Sequence, residues 1–310
     1  MELVFRRRRR VAIAVVAAIV LLLLWVISSL GDGNSGGAEQ AAPELPRGGR
    51  VVLPRHRIVA YYGAPQAAEL GVLGIGTPDE AARKLLARAR MYSRPGRPVL
   101  PALELIATIA HSAPGQDGLH RERQSDAVLR RYLRAARRAQ ALLILDIQPG
   151  RADFLEEVRA FEPYLAQPDV GLALDSEWSV PEGVVPGEAI GSTDAATINR
   201  ISYYLARLVR RKRLPQKPLL VHQFTEGMVE DDDQPILARP GVAIVSNIDG
   251  FGVPEVKVDV YRMLANPRTT ASRRPRHFNG LKLFFEEDTN LMRPTSVLSL
   301  QPQPDVIVYE

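Results

Sequence analysis

No cysteine occurs among the 310 residues. That absence excludes a disulfide framework, thiolate metal ligation, a cysteine nucleophile and the lipidated cysteine of a bacterial lipoprotein. It is compatible with an oxidising compartment. No H-x-H or H-E-x-x-H spacing is present, which removes the familiar zinc-hydrolase signatures. Gly71-x-x-Gly74-x-Gly76 completes no G-x-G-x-x-G and has no P-loop lysine, so it reads as loop punctuation. The G-x-S-x-G match, Gly33–Gly37, lacks the strand and helix that a nucleophile elbow needs, which argues against an ordinary esterase. Asp231-Asp232-Asp233 lacks the alternating ligand spacing of a calcium loop and reads as solvated.

The charge of +5 is concentrated at one end. Arg6–Arg10 and Glu2 give the first ten residues +4, leaving +1 for the rest. A near-neutral body has no electrostatic footprint for nucleic acid, and no nucleic-acid partner is expected. The run Arg210–Arg213 closes an apparent helix, where cations complement the dipole.

Residues 11–30 contain no charge at all. At about 1.5 Å per residue the run matches the hydrocarbon thickness of a bilayer, and in lipid a helix satisfies its own backbone. The expected organisation is a basic cytoplasmic stub (1–10), a transmembrane helix (11–30), a flexible linker (31–50) and an extracytoplasmic body (51–310). The arginines before the span keep the N-terminus inside, making the lipid bilayer the first expected partner and the cell membrane the expected location. A cleaved signal peptide is the competing reading. Its apolar core is shorter, however, and Ser28-Ser29-Leu30-Gly31 makes a poor cleavage site.

From residue 57 onward, short apolar runs alternate with amphipathic stretches. Strands are expected at Arg57–Tyr62, Val99–Ala107, Ala141–Gln148, Val170–Ser176, Pro218–Phe224, Val242–Asn247, Leu281–Phe285 and Asp305–Tyr309. Helices are expected after Thr77 and Ser125, and over Ala152–Leu165, Asp194–Val209 and Pro254–Leu264. Eight such units predict an α/β fold, a (β/α)8 TIM-type barrel preceded by one transmembrane helix. An open doubly wound sheet is the alternative. Ser179–Gly191 is expected to form a loop over the mouth.

In a barrel, chemistry sits where strands end. Those ends supply Tyr61 and Tyr62, Glu104 and His111, Asp146 and Gln148, Asp175, Glu177 and Trp178. They continue with His222 and Gln223, Asn247 and Asp249, Glu286, Glu287 and Asp288, and Tyr309. Asp175 and Glu177 are two apart, so an extended strand places both on one face, where close carboxylates raise each other's pKa. One of them then keeps its proton near neutral pH, as a general acid requires. The capping of helix four, or pairing with arginine, is the structural alternative. Trp178 is the one tryptophan outside residues 11–30 and offers a flat face for a sugar ring or a loop anchor. His111, Asp146, His222 and Asp249 are the candidate metal ligands, but their spacing matches no metal motif, and neither a metal nor another cofactor is expected.

Gly171-Leu172-Ala173-Leu174-Asp175-Ser176-Glu177-Trp178 resembles the strand-four signature of chitinase-like family 18 glycoside hydrolases, D-G-x-D-x-D-x-E. Val170 and Ala173 stand where that pattern has its two upstream aspartates. The resemblance implies that Glu177 protonates the glycosidic oxygen and that Asp175 orients an N-acetyl group whose carbonyl attacks the anomeric carbon. A second geometry, that of retaining barrels, pairs Glu177 with a nucleophilic Glu286 or Glu287 after strand seven. In both, Tyr62, Asp146, Gln148, Trp178, His222, Gln223, Asp249 and Tyr309 are expected to bind a glycan or other small molecule at the mouth. The reading is a membrane-anchored glycoside-hydrolase-like enzyme. The alternative is a non-catalytic glycan-binding or envelope scaffold with a degenerate barrel site.

Overall fold

The computed structural model describes Ile19, Val20, Leu22 and residues 41–230, 235–265 and 277–310. The expected stub, most of the apolar run 11–30, the Gly33–Gly37 match and Asp231–Asp233 therefore lie outside the described residues. Among the described residues no helix is long and apolar enough to cross a membrane. Contacts divide the chain into two units, Met1–Ala42 and Pro43–Glu310.

The second unit is built on eight parallel strands. These are β1 (Arg57–Gly63), β2 (Val99–Ala110), β3 (Leu142–Ile147), β4 (Val170–Asp175), β5 (Lys217–Gln223), β6 (Val242–Ile248), β7 (His277–Leu283) and β8 (Val306–Tyr309). Each pairs with its sequence neighbours, and β1 pairs with both β2 and β8. The sheet is thus a closed barrel, and the open-sheet alternative is excluded. Closure removes both sheet edges.

The strands are apolar almost throughout because both of their faces are covered. Alternate residues enter two separate cores. Ile58, Ala60, Leu100, Ala102, Leu142, Ile144, Ala173, Leu220, Val245 and Val308 fill the barrel interior. Val59, Leu103, Leu105, Leu143, Leu145, Leu172, Leu219 and Ile307 face the helices. This period of two decides which strand-end residues reach the mouth.

The helices are α1 (Pro78–Arg90), α2 (Asp126–Arg138), α3 (Phe154–Ala160), α4 (Glu162–Leu165), α5 (Ala195–Lys212), α6 (Pro254–Leu264) and α7 (Pro294–Ser299). Thr77 opens α1 with a reciprocal capping box to Glu80, and Ser125, Asp153 and Asp194 cap α2, α3 and α5. The expected single helix over Ala152–Leu165 is two, because Phe161 leaves the helical region and Pro163 opens α4.

Most boundaries shift from expectation by one to three residues, and two shift further. Strand β7 starts at His277, not Leu281, since its inward positions are Phe278, Gly280 and Lys282, which break the apolar run. Residues 43–50, expected as linker, belong to the barrel. Leu45, Val52 and Leu53 pack into the interior cluster, and Gln216 Oε1 accepts from the amides of Val52 (2.8 Å) and Leu53 (2.9 Å). Arg50 donates to the carbonyls of Arg213 (2.8 Å) and Leu214 (2.9 Å), which closes the lower end.

Candidate functional site

Above the apolar interior, each strand contributes one further inward position. These are Tyr62, Glu104, Asp146, Asp175, His222, Asn247, Lys282 and, just past β8, Glu310. Register places Tyr62 level with Glu104, Asp175 level with His222, and His222 level with Asn247. Directly below lie Ala60, Ala102, Ile144, Ala173, Leu220, Val245, Gly280 and Val308. The barrel is therefore filled with small and apolar groups up to one level and with ionisable groups at the next. Strand β2 overruns that level and is tied down by Arg121–Arg123, which pairs with it antiparallel. Glu157, buried on α3, binds Arg121 and Arg123 at 2.8 Å.

His222 is the centre of the layer. Its Nδ1 lies 2.9 Å from Asp249 Oδ2, and its Nε2 lies 3.0 Å from Glu104 Oε1 and 3.9 Å from Asp146 Oδ1. Burial opposes charge on this ring, yet hydrogen bonds to Asp249 and Glu104 outweigh it and hold the histidine well above its ordinary pKa. Tyr62 donates its hydroxyl to Asp146 Oδ2 at 3.1 Å and lies 3.4 Å from Asp175 Oδ2. Gln148 Nε2 donates to Asp175 Oδ2 at 3.3 Å and to Tyr62 Oη at 3.2 Å, while its carbonyl accepts from Ala110 N. Lys282 pairs with Glu310 at 2.5 Å and stands over the Tyr62 ring at 3.7 Å. Burial would lower Lys282, but Glu310, Asp249 and Asp175 keep it charged.

Carboxylates outnumber cations here: Glu104, Asp146, Asp175, Asp249 and Glu310 face His222 and Lys282. Burial, then the Asp175 charge, pushes Asp146 well above the usual carboxyl range. Burial also raises Asp175, against the pull of His222 and Lys282. Glu104 Oε2, Asp146 Oδ1, Asp175 Oδ1 and Asp249 Oδ1 are all buried, and no protein group among the described residues donates to them.

Glu177 sits at the rim. The extended geometry expected for Asp175 and Glu177 stops at Asp175, because Ser176–Trp178 form a 3-10 turn. Ser176 donates its hydroxyl to the His222 carbonyl at 2.7 Å, which fixes that turn to β5. The Ser179–Gly191 loop is pinned to it as well, with Gly191 N donating to the Glu177 carbonyl at 2.6 Å. Glu177 is half-buried, and among the described residues its carboxylate forms no ion pair. Burial raises its pKa to about 7, aided by Asp175 and Asp249 and opposed by Lys282.

The remaining residues singled out by sequence divide clearly. Asp249 joins the cluster, its amide donating to the carbonyl of Gln223, which is itself buried at the end of β5. Trp178 is half-buried beside the Ser179–Gly191 loop. Tyr309 faces the helices instead of the mouth, sharing a 2.6 Å hydrogen bond with Tyr92. Tyr61 lies in the same outer core. Glu286 and Glu287 are exposed on the segment after β7, and no hydrogen bond or ion pair joins them to the cluster among the described residues. Asp288 is buried there, 3.0 Å from Lys257 and accepting from Phe284 N and Gly252 N. His111 is exposed and pairs with Glu122 at 3.6 Å. Lys282 and Glu310 escaped the sequence reading. Counting in twos along β7 and β8 finds them, whereas attention to the last apolar residue selects Tyr309.

One glycine makes room for the layer. An added Cβ at Gly280 would lie 2.2 Å from Asn247 Oδ1, so the Asn247 side chain occupies the space a side chain on β7 would take. Compared with models of protein families and with curated proteins, the chain matches none.

Proposed function

We propose that the protein is a membrane-anchored, extracytoplasmic barrel hydrolase acting on a glycan, with Glu177 as general acid. The observation that carries this reading is the half-buried Glu177 carboxyl in the turn at the rim of a buried polar layer, where burial raises its pKa to about 7. A carboxyl group poised there donates a proton to a leaving oxygen at neutral pH. Asp175, two residues away and held by Tyr62 and Gln148, orients a substrate group in this reading. The substrate-assisted route is favoured over a Glu286 nucleophile, because Glu286 is exposed and apart from the cluster. Half-buried Trp178 supplies an aromatic face for a sugar. The uncharged run 11–30 behind five arginines supports the anchor and the outward orientation.

The test uses purified wild-type and Glu177→Gln protein on N-acetylated glycans and peptidoglycan fragments. Release of product by wild type and its loss in the variant are expected, and no release from any of them by wild type rejects the enzymatic reading. A non-catalytic glycan-binding scaffold is the second reading, favoured by Ala173, which lies in the inner apolar layer where the family pattern has an acid. Glycan binding that survives Glu177→Gln, without turnover in either form, selects it.

A further inference from the structure

The acid chemistry proposed for Glu177 assigns no step to Glu104, Asp146 and His222, which come from three different strands of the barrel. We propose that these three side chains form the protein half of a divalent-cation site, with Asp249 orienting the histidine from outside it.

Their ligand atoms all lie within 4.8 Å of one another. Two atoms each about 2.0–2.2 Å from a shared ion are at most about 4.4 Å apart. His222 Nε2 meets that limit with Glu104 Oε1 at 3.0 Å and with Asp146 Oδ1 at 3.9 Å.

A second observation points to a ligand. Glu104 and Asp146 are fully buried, and among the described residues no protein group donates to Glu104 Oε2 or Asp146 Oδ1. A proton on Nε2 satisfies one carboxylate oxygen and leaves these two bare. Buried oxygens of this kind are costly to leave unpaired, and one cation between them would meet both.

The surroundings also fit. Asp249 Oδ2 at 2.9 Å takes the Nδ1 proton, the carboxylate–histidine arrangement that turns the other ring nitrogen toward a metal. The Tyr62 hydroxyl occupies Asp146 Oδ2 and so leaves Oδ1 for the ion. One imidazole nitrogen with two carboxylates suits Zn²⁺, Mn²⁺ or Fe²⁺, whereas Ca²⁺ requires six to eight oxygens.

The experiment titrates chelator-stripped full-length protein with Mn²⁺, Zn²⁺ and Ca²⁺, reading stoichiometry by calorimetry and metal content by mass spectrometry. One Mn²⁺ or Zn²⁺ per chain is expected, bound more tightly than Ca²⁺. Glu104→Gln and Asp146→Asn are each expected to weaken it at least tenfold, and Asp249→Asn about 10–100-fold. Should a variant fail to fold, wild type alone decides: bound Mn²⁺ must broaden the His222 ring resonances in histidine-labelled protein. Absence of stoichiometric binding, affinity undiminished in the Glu104→Gln/Asp146→Asn double variant, or His222 resonances unchanged by Mn²⁺ would each overturn the proposal.

Discussion

Replacing His222 by leucine removes both donors that face Asp249 and Glu104 while keeping a side chain of comparable bulk. All three partners lie where solvent screening is weak: His222 and Glu104 are 0% exposed and Asp249 is 6% exposed. The relevant scale is therefore that of a broken buried pair, about 3–5 kcal/mol, and not the fraction of a kcal/mol typical of surface ion pairs. At roughly 2–4 °C per kcal/mol, the melting temperature should fall by roughly 6–20 °C. The loss arises from carboxylates left buried without a counter-charge, so removing one of them should recover part of it. Urea unfolding of wild type, His222→Leu, Asp249→Asn and the double variant, all in chelator, measures that coupling. We expect the double variant to be more stable than the sum of the single losses by about 0.5–3 kcal/mol. Additivity within about 0.5 kcal/mol would refute the claim that the histidine neutralises this layer.

Three further outcomes are expected. If Glu177 is the acid, kcat/KM on a glycan should fall about tenfold per pH unit above about 7, and Glu177→Gln should cost about 10²–10⁴ in rate; a flat alkaline limb argues against it. Lys217, buried below the barrel with its amine on the Gln167 and Val170 carbonyls, is lowered to about 7, chiefly by burial. Between that value and the ordinary lysine value near 10.4 the unfolded chain binds the extra proton, so stability should rise with pH by up to about 1.4 kcal/mol per unit. Lys217→Met should flatten that slope in denaturant titrations, and an unchanged slope would reassign it. Leu53 is 1% exposed in the segment that closes the lower end, and Leu53→Ala should cost about 2–5 kcal/mol by urea unfolding. A smaller loss would mean that residues 43–56 cover the barrel without supporting it.

Much of the architecture was written in local pattern. Continuous apolar runs predicted strands covered on both faces, and the Thr77, Ser125 and Asp194 caps fixed where helices begin, because capping is a contact between residues three apart. Asp175, His222, Asp146 and Asp249 were recognisable as strand-end polar residues for the same local reason. Strand β7 was harder, since its inward Gly280 and Lys282 make sense only beside Asn247 and Glu310, on neighbouring strands.

Which end residues face the mouth was a question of parity, and parity depends on the register that the closed barrel imposes. That register sent Tyr309 to the helices and Glu310 inward, and left Glu286 exposed. Sequence by itself determined that this chain alternates eight strands with helices and ends several strands in acids and a histidine. Tertiary structure alone decided that those groups meet around His222 and that Glu177 stands at the rim, half out of water. A carboxyl group's affinity for its proton is set by charges and solvent within a few ångströms, and these come from residues far apart along the chain.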